Sequence, residues 1–458
     1  MKRRRLLTAT APLVLAHAGL AVLYDLEKAP HLTFLLLALA FGSYLWAGRR
    51  CESRVGAAAI LGVAAVLRLL LLPLPPTLSD DILRYGWDGK LVLAGFNPYL
   101  LAPDAEELSP LRDERWQRMP HREVPTVYPP LALAVFSLAN RLPYPSIGIK
   151  ILLTFAELVG WFLLIRLAVR LGLPAGRALW YCWNPLVTLE IAGMGHVDAL
   201  VATAAIATVL LLIRQAPARP SAATSSTAVT VSSAAIPAAA TAAAAVLAKL
   251  IPVVALPMWA RQSGRPVAFL AAASVLVGLV LLPVFVSTGG VPPGLVKFGV
   301  SWEFNGPLFE PLAYVLSELP VVEAVKGGLD GIKNRTGEHP FWNRFYPFIY
   351  PELLAKLLLA AAFAGFLVAS LGEKDPVAGT GRLFGGLLIC SATVYPWYLL
   401  AVLPWAALGR HRAWLSLSAL IQLSYLSQIT GVSHLPWVFV AIWGPFFWLL
   451  ARSRWSIG

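Results

Sequence analysis

Residues 1–24 read "MKRRRLLTATAPLVLAHAGLAVLY". A basic head is followed by an apolar run of about 20 residues, long enough to cross a bilayer core of roughly 30 Å as a helix. Taken alone, the stretch has the look of a cleavable targeting segment. Comparable runs recur to the far end of the chain, so it is read as a retained first helix with its basic head in the cytoplasm. A second run at about 31–48 returns to "GRRCESR", a basic inner loop. A third at about 55–74 exits again. The chain of 458 residues is 58% hydrophobic and only 13% charged, with a mean hydropathy of +0.69. A soluble domain carries about 25% charge. The expected fold is therefore all-α: a polytopic membrane bundle of about 10–13 transmembrane or re-entrant helices, because lipid leaves backbone polar groups no partner outside their own helix. The runs are continuous, without the ten-residue alternation of a membrane barrel.

The net charge is +13. Its basic residues sit mostly in short loops and at the N-terminus, which reads as topology rather than a nucleic-acid footprint. Cys51, Cys182 and Cys390 are scattered and suit packing, not a disulfide framework or a metal site. The whole of 1–458 reads as one multi-pass membrane domain. Within it, 77–126 is the first large outer loop. Residues 214–235 form a low-complexity inner linker rich in Ala, Ser, Thr and Pro. A second large outer loop spans 288–352, and the tail "ARSRWSIG" suits the inner side.

Simple span counting fails at 127–169, 236–259 and 383–407. Each holds a proline beside an aromatic or a charge: "VYPPL", "AKLIP" and "VYPWY". Proline breaks helices. Broken helices at membrane depth persist only in protein or along a cavity. The three segments are therefore expected to be short or re-entrant helices converging on one site, with ordinary kinks as the competing reading.

The first outer loop holds the densest charge, "SDDILRYGWDGKLVLAGFNPY" at 79–99. Ser79 is expected to cap a helix starting at Asp80, Gly95 to end it, and "NPY" to turn. On such a helix Asp81, Arg84 or Tyr85, and Asp88 share one face, while Asp80 and Asp81 point about 100° apart. That spacing suits one general base with a supporting carboxylate, and equally suits two acids capping a helix.

The ordered set "DDILRYGWDGKLVLAGFNPYLLAPD", "LRDERW", "VPTVYPPLALAVF", "WNPLVTLEIAGMGHVDAL", "AKLIPVVALP", "WEFNGPLFEPL" and "YPWYLLAVLPW" resembles membrane glycosyltransferases of the GT-C class. The nearest group is the bacterial polyprenyl-phosphate-mannose-dependent mannosyltransferases, and the likeness covers nearly the whole chain. It implies transfer of a hexose, mannose by resemblance, from a polyprenyl-phosphate donor to a hydroxyl acceptor on the outer face of a bacterial plasma membrane. The acceptor is a lipid, glycan or protein hydroxyl. The family's base falls on Asp81, the acid ahead of "ILRY", with Asp80 as runner-up. The implied step inverts the anomeric carbon. It requires no metal or other cofactor and leaves room for a divalent ion.

Candidate substrate contacts follow in the same motifs: Arg84, Tyr85, Asp88, Asn97, Tyr128, Asn305 and Trp397. Glu190, His196 and Asp198 are candidates for donor or acceptor contact, although Asp198 also suits a helix cap. Lys249 lies within an apolar run, where a cation marks a site, and a lipid phosphate is its natural partner; snorkelling to the interface is the alternative. Two other functions compete. A lipid-linked sugar transporter would set its key charges at the midplane, not in a surface loop. A surface-glycan polymerase or ligase would rely on Arg and His in a large outer loop, as Arg335, His339 and Arg344 could provide. No phosphate-binding glycine loop is present, which disfavours a nucleotide-sugar donor.

Overall fold

The structure, a computed structural model, describes residues 3–213, 234–337, 340–343, 349–432 and 435–453. Residues 214–233 of the expected linker, together with His339 and Arg344, lie outside the described residues. The rest is an all-α membrane protein. Among the described residues, five helices are long and apolar enough to cross a bilayer. They are α1 (Arg3–Leu23), α2 (Pro30–Cys51), and the later helices Pro145–Arg170, Pro266–Thr288 and Pro351–Ser370.

The third apolar run forms α3 (Ala57–Leu71), and the prolines at 73, 75 and 76 end it. The surface helix α4 (Asp81–Leu93) follows. It begins one residue later than expected. Asp80 takes the cap position without a side-chain capping bond, and Ser79 Oγ lies a long 3.4 Å from the Asp81 amide. Gly95, at φ +82°, ends this segment, and Asn97 Oδ1 accepts from the Tyr99 amide at 3.0 Å to make the turn. The second long loop is largely helical, with helices Pro293–Ser301, Phe309–Ser317 and Pro320–Thr336.

The three awkward segments resolve as reversals. α5 (Pro130–Ala139) is too short to span and packs against α4, after which α6 (Pro145–Arg170) makes one full-length helix. α7 (Asp198–Leu212) and α8 (Ala235–Ala248) run antiparallel, with Thr208 and Thr241 hydroxyls 2.9 Å apart midway. At Lys249 the backbone turns extended (φ −161°, ψ 141°), and a 3₁₀ turn leads into α9 (Leu256–Gln262), which heads back. α10 (Pro266–Thr288) and α11 (Pro351–Ser370) are full-length helices. α12 (Pro376–Ile389) then rises to "VYPWY", and α13 (Leu403–Gly409) returns.

The reversals give the bundle two distinct ends. At one, Glu52 is gripped by Arg177 at 2.8 Å and by Arg410 and Trp180 at 2.9 Å each, and Arg170 donates to the Leu210 carbonyl at 2.8 Å. At the other, the Leu26 amide donates to Thr77 and Asn97 donates to Ser287, both at 3.1 Å. Between them Arg68 of α3 is fully buried, paired with Glu157 of α6 and stacked over Trp161. Each charge is met by the other, which is what burial of either requires.

One close approach sets the position of α4. A Cβ at Gly89 would lie 2.5 Å from the Phe136 carbonyl group of α5. Gly89→Ala is expected to force the two helices apart and lower stability by about 1–3 kcal/mol. Thermal unfolding in detergent measures it.

Candidate active site

The breaks at Tyr128, Lys249 and Trp397 meet at one cavity of about 760 Å³ beside the start of α4. That volume suits a drug-sized or sugar-sized group with room beyond it. One end is polar, with Ser79, Asp80, Asp81, Arg84 and Lys249 on its wall. Aromatic rings form the middle: Tyr85, Tyr128, Tyr395, Trp397 and Tyr398. A further arm is mainly apolar, lined by Leu295, Phe298, Leu359, Phe363, Leu387 and Leu388, with Lys356 also on its wall. Leu359 and Phe363 stand one turn apart on α11, whose other face exposes Leu357 and Leu358. The arm therefore ends one helix away from the apolar outer surface.

Asp81 opens α4, where unpaired backbone amides favour a carboxylate. Its side chain remains 34% exposed to the cavity. Enclosure by the cavity walls nevertheless pushes its carboxyl up to about 6, against the pull of Lys249 and with the push of Asp198 and Asp80. Asp80 is also raised by burial, with Arg118 opposing. A carboxylate poised near neutrality on a cavity wall is able to take a proton from a hydroxyl.

A second layer lies immediately behind this wall. The backbone widens into a π-helical turn at Leu189–Met194, and Gly195 (φ +84°) turns it left-handed; a Cβ there would sit 2.7 Å from Ile82 Cδ1. This delivers three buried groups, Glu190, His196 and Asp198. Lys249 Nζ donates to both Asp198 oxygens, at 2.7 and 3.0 Å, and sits 4.1 Å from the Tyr398 ring centre. His196 Nδ1 is 3.8 Å from Asp81 Oδ2, and its Nε2 is 3.3 Å from Glu190 Oε2. Tyr425 donates to Glu190 Oε1 at 2.7 Å.

The expected site residues thus divide by position. Asp80, Asp81, Arg84, Tyr85, Tyr128, Lys249 and Trp397 line the cavity. Glu190, His196 and Asp198 stand behind the wall and do not line it. Asp198 is the first residue of α7 rather than its cap, and Lys249 has a carboxylate where a phosphate was expected. Asp88 is buried away from the cavity, accepting from Arg84 Nε at 2.8 Å and from the Thr126 hydroxyl. Asn97 is occupied in its turn and with Ser287. Asn305, at φ +54°, accepts from the Trp443 indole at 2.9 Å beside a separate small pocket.

Several wall residues had not been singled out. Tyr395 stacks on Trp397 at 4.6 Å, Trp302 packs with His121 at 4.5 Å, and Lys356 pairs with Glu303 at 2.8 Å. Tyr395 sits in the "VYPWY" motif and was within reach of sequence reading; Tyr425, in the run "LSYLSQ", carried no signal. No group of three or more His, Cys, Asp or Glu side chains placed to hold a metal ion occurs among the described residues.

A family model described as "Alpha-(1->6)-mannopyranosyltransferase, N-terminal domain" matches residues 7–264, more than half of the chain. No curated protein matches, and no solved structure matches. The match ends between α9 and α10, whereas the cavity draws its wall from both sides of that boundary.

Proposed function

The chain belongs to the alpha-(1->6)-mannopyranosyltransferase family, and on that premise we propose that it moves mannose from a polyprenyl-phosphate donor to a hydroxyl acceptor on the outer face of the membrane, with Asp81 as general base. The observation that carries this is a single cavity with two characters. A poised carboxylate and a cation share the cavity wall with apolar side chains of α11, a helix whose opposite face is exposed and apolar. A sugar phosphate on a hydrocarbon chain has the same two characters.

In the proposed step Asp81 removes the acceptor's proton as the oxygen attacks the anomeric carbon. The bond from that carbon to the lipid phosphate breaks, and the phosphate leaves with the electron pair. One displacement inverts the centre, so an α-linked product would start from a β-linked donor. Lys249 spends two of its three ammonium protons on Asp198. The third is free to meet the departing phosphate, so the step as proposed needs no metal ion.

Charge distribution supports the outer-face assignment. Arg49, Arg50, Arg54, Arg177, Arg410 and Arg412 gather at the end opposite the cavity. By the positive-inside tendency that end faces the cytoplasm. We also read the chain as one functional unit, because neither side of residue 264 closes the cavity alone.

The test is transfer of labelled mannose in proteoliposomes from polyprenyl-phosphate mannose to a crude lipid-glycan acceptor. Transfer is expected, with a pH profile set by Asp81. A base that titrates near pH 6 is protonated and idle below it. The rate, kcat/KM, should therefore fall about tenfold per pH unit below 6 and level off above it. A profile flat from pH 5 to 8 would remove Asp81 from the role.

A further inference from the structure

The buried layer behind Asp81 has an unusual property. His196 is fully buried, and neither of its ring nitrogens has a hydrogen-bond partner. Glu190 Oε2, also fully buried, has none either. Yet the imidazole is aimed along a line, with Asp81 on its Nδ1 side and Glu190 on its Nε2 side. The ring is held flat against Trp397, with centres 3.8 Å apart and planes 11° apart. Trp397 in turn stacks on Tyr395, and Tyr395 on Phe304, each at 4.6 Å. This column of four rings fixes the plane of His196, so closing both contacts falls to the Asp81 and Glu190 side chains rather than to the ring. Catalytic hydrogen bonds are often long before substrate binds and tighten afterwards.

The protons can be ordered along this line in one way that buries no further charge. Tyr425 already donates to Glu190 Oε1. A neutral Glu190 then donates from Oε2 to His196 Nε2, and a neutral His196 donates from Nδ1 to an ionised Asp81. The alternative, an imidazolium beside a buried Glu190 carboxylate, places two more ions in the interior, which is costly. The groups facing this line from the packed elements are Asp80, Tyr85 and Tyr128 at the wall, Asp198 and Lys249 as a pair, Lys150 beside Gly195, and Tyr395 and Tyr398. The cation nearest to Asp81 is therefore already shared with Asp198.

We infer that His196 is a positioning residue for Asp81. Backed by Glu190 and Tyr425, it hydrogen-bonds the Asp81 carboxylate at Oδ2, keeps that carboxylate ionised, and turns its other oxygen towards the acceptor hydroxyl. His196 touches no substrate in this role, which rests on the reading of Asp81 as the base.

The experiment is the pH dependence of mannose transfer in proteoliposomes for wild type, D81N, H196F, H196Q, E190L and E190Q, each checked for monodispersity and thermal unfolding. H196F keeps the stack on Trp397 and removes the hydrogen bond. Its acid limb should move up by about one to two pH units, with the loss largest below pH 7 and shrinking towards pH 9. Gln at 196 can donate to Asp81 and accept from Glu190, so H196Q should recover most of that shift. Leu at 190 leaves Nε2 without a donor and draws the ring proton away from Asp81. E190L should therefore shift the limb upward as well, and more than E190Q; this tests the order even if H196F does not fold. If H196F and E190L lower transfer equally at every pH, His196 is only a shelf for Trp397 and the inference fails. If D81N transfers as well as wild type, the general-base reading itself fails, and the two failures are told apart in one series.

Discussion

Asp81→Asn is expected to reduce mannose transfer by about 10²–10⁴-fold while the protein still folds and still binds its lipid donor. The change keeps the shape of the side chain and removes its basicity. Asn at 81 retains the place at the start of α4, where a helix accepts either residue, so the fold has little reason to respond. Asp80→Asn is expected to stay within a few fold of wild type. Asp80 is more exposed, faces Arg118, and has no buried layer behind it. The comparison is made on initial rates at pH 7.5, with donor binding measured in parallel. Equal losses in the two variants would mean that the acids act only as a charge pair.

Lys249→Met carries the second large effect, and it has two parts. The variant removes the cation nearest to the proposed leaving group, a loss of about 10²–10³-fold in rate if one stabilising donor is missing. It also strands the Asp198 carboxylate, whose side chain is only 2% exposed. Breaking one side of a buried pair costs about 3–5 kcal/mol, and the lower end applies here because Lys249 keeps 17% exposure at the cavity. The double variant Asp198→Asn with Lys249→Met removes both charges and should regain most of the thermal stability without regaining transfer. Stability and activity then separate, which places Lys249 in the chemistry rather than only in the scaffold. In Lys249→Met the acid limb should also rise, because Lys249 holds the Asp81 carboxyl down, and it should rise less in the double variant, which also removes the push of Asp198.

How much of this was legible follows from how local each signal is. α1 to α3 are written as apolar runs ended by basic loops or prolines, and the three reversals as a proline beside a charge or an aromatic within such a run. Those signals need no partner, so reading along the chain finds them. Asp81 was legible as one of two adjacent acids; that its carboxylate is the one backed by His196 was not, because that choice depends on α4 starting at Asp81. Glu190, His196 and Asp198 are legible as polar candidates for donor or acceptor contact, but their place behind the cavity wall is not. The π-helical turn and left-handed Gly195 between them break the helical spacing that would have told wall from backing. Tyr425 reaches Glu190 across 235 positions, and nothing in its own neighbourhood announces the contact. Asn97 and Asn305 were attractive as sugar ligands, but each spends its acceptor oxygen on the fold, in one case on the Tyr99 amide and in the other on the Trp443 indole.

The ownership of the cavity wall bears on how family membership is to be used. The stretch that matches the family carries Asp81, Glu190, His196 and Lys249, while Tyr425 behind Glu190, the Tyr395 and Trp397 rings and the apolar arm come from beyond residue 264. A protein recognised by that stretch alone would share the acid, the Glu190 and His196 positions and the cation. It would not thereby have inherited the apolar wall that the proposed function offers to a lipid chain. A match to that stretch therefore speaks to the proposed acid and cation, and says nothing of the wall beyond residue 264.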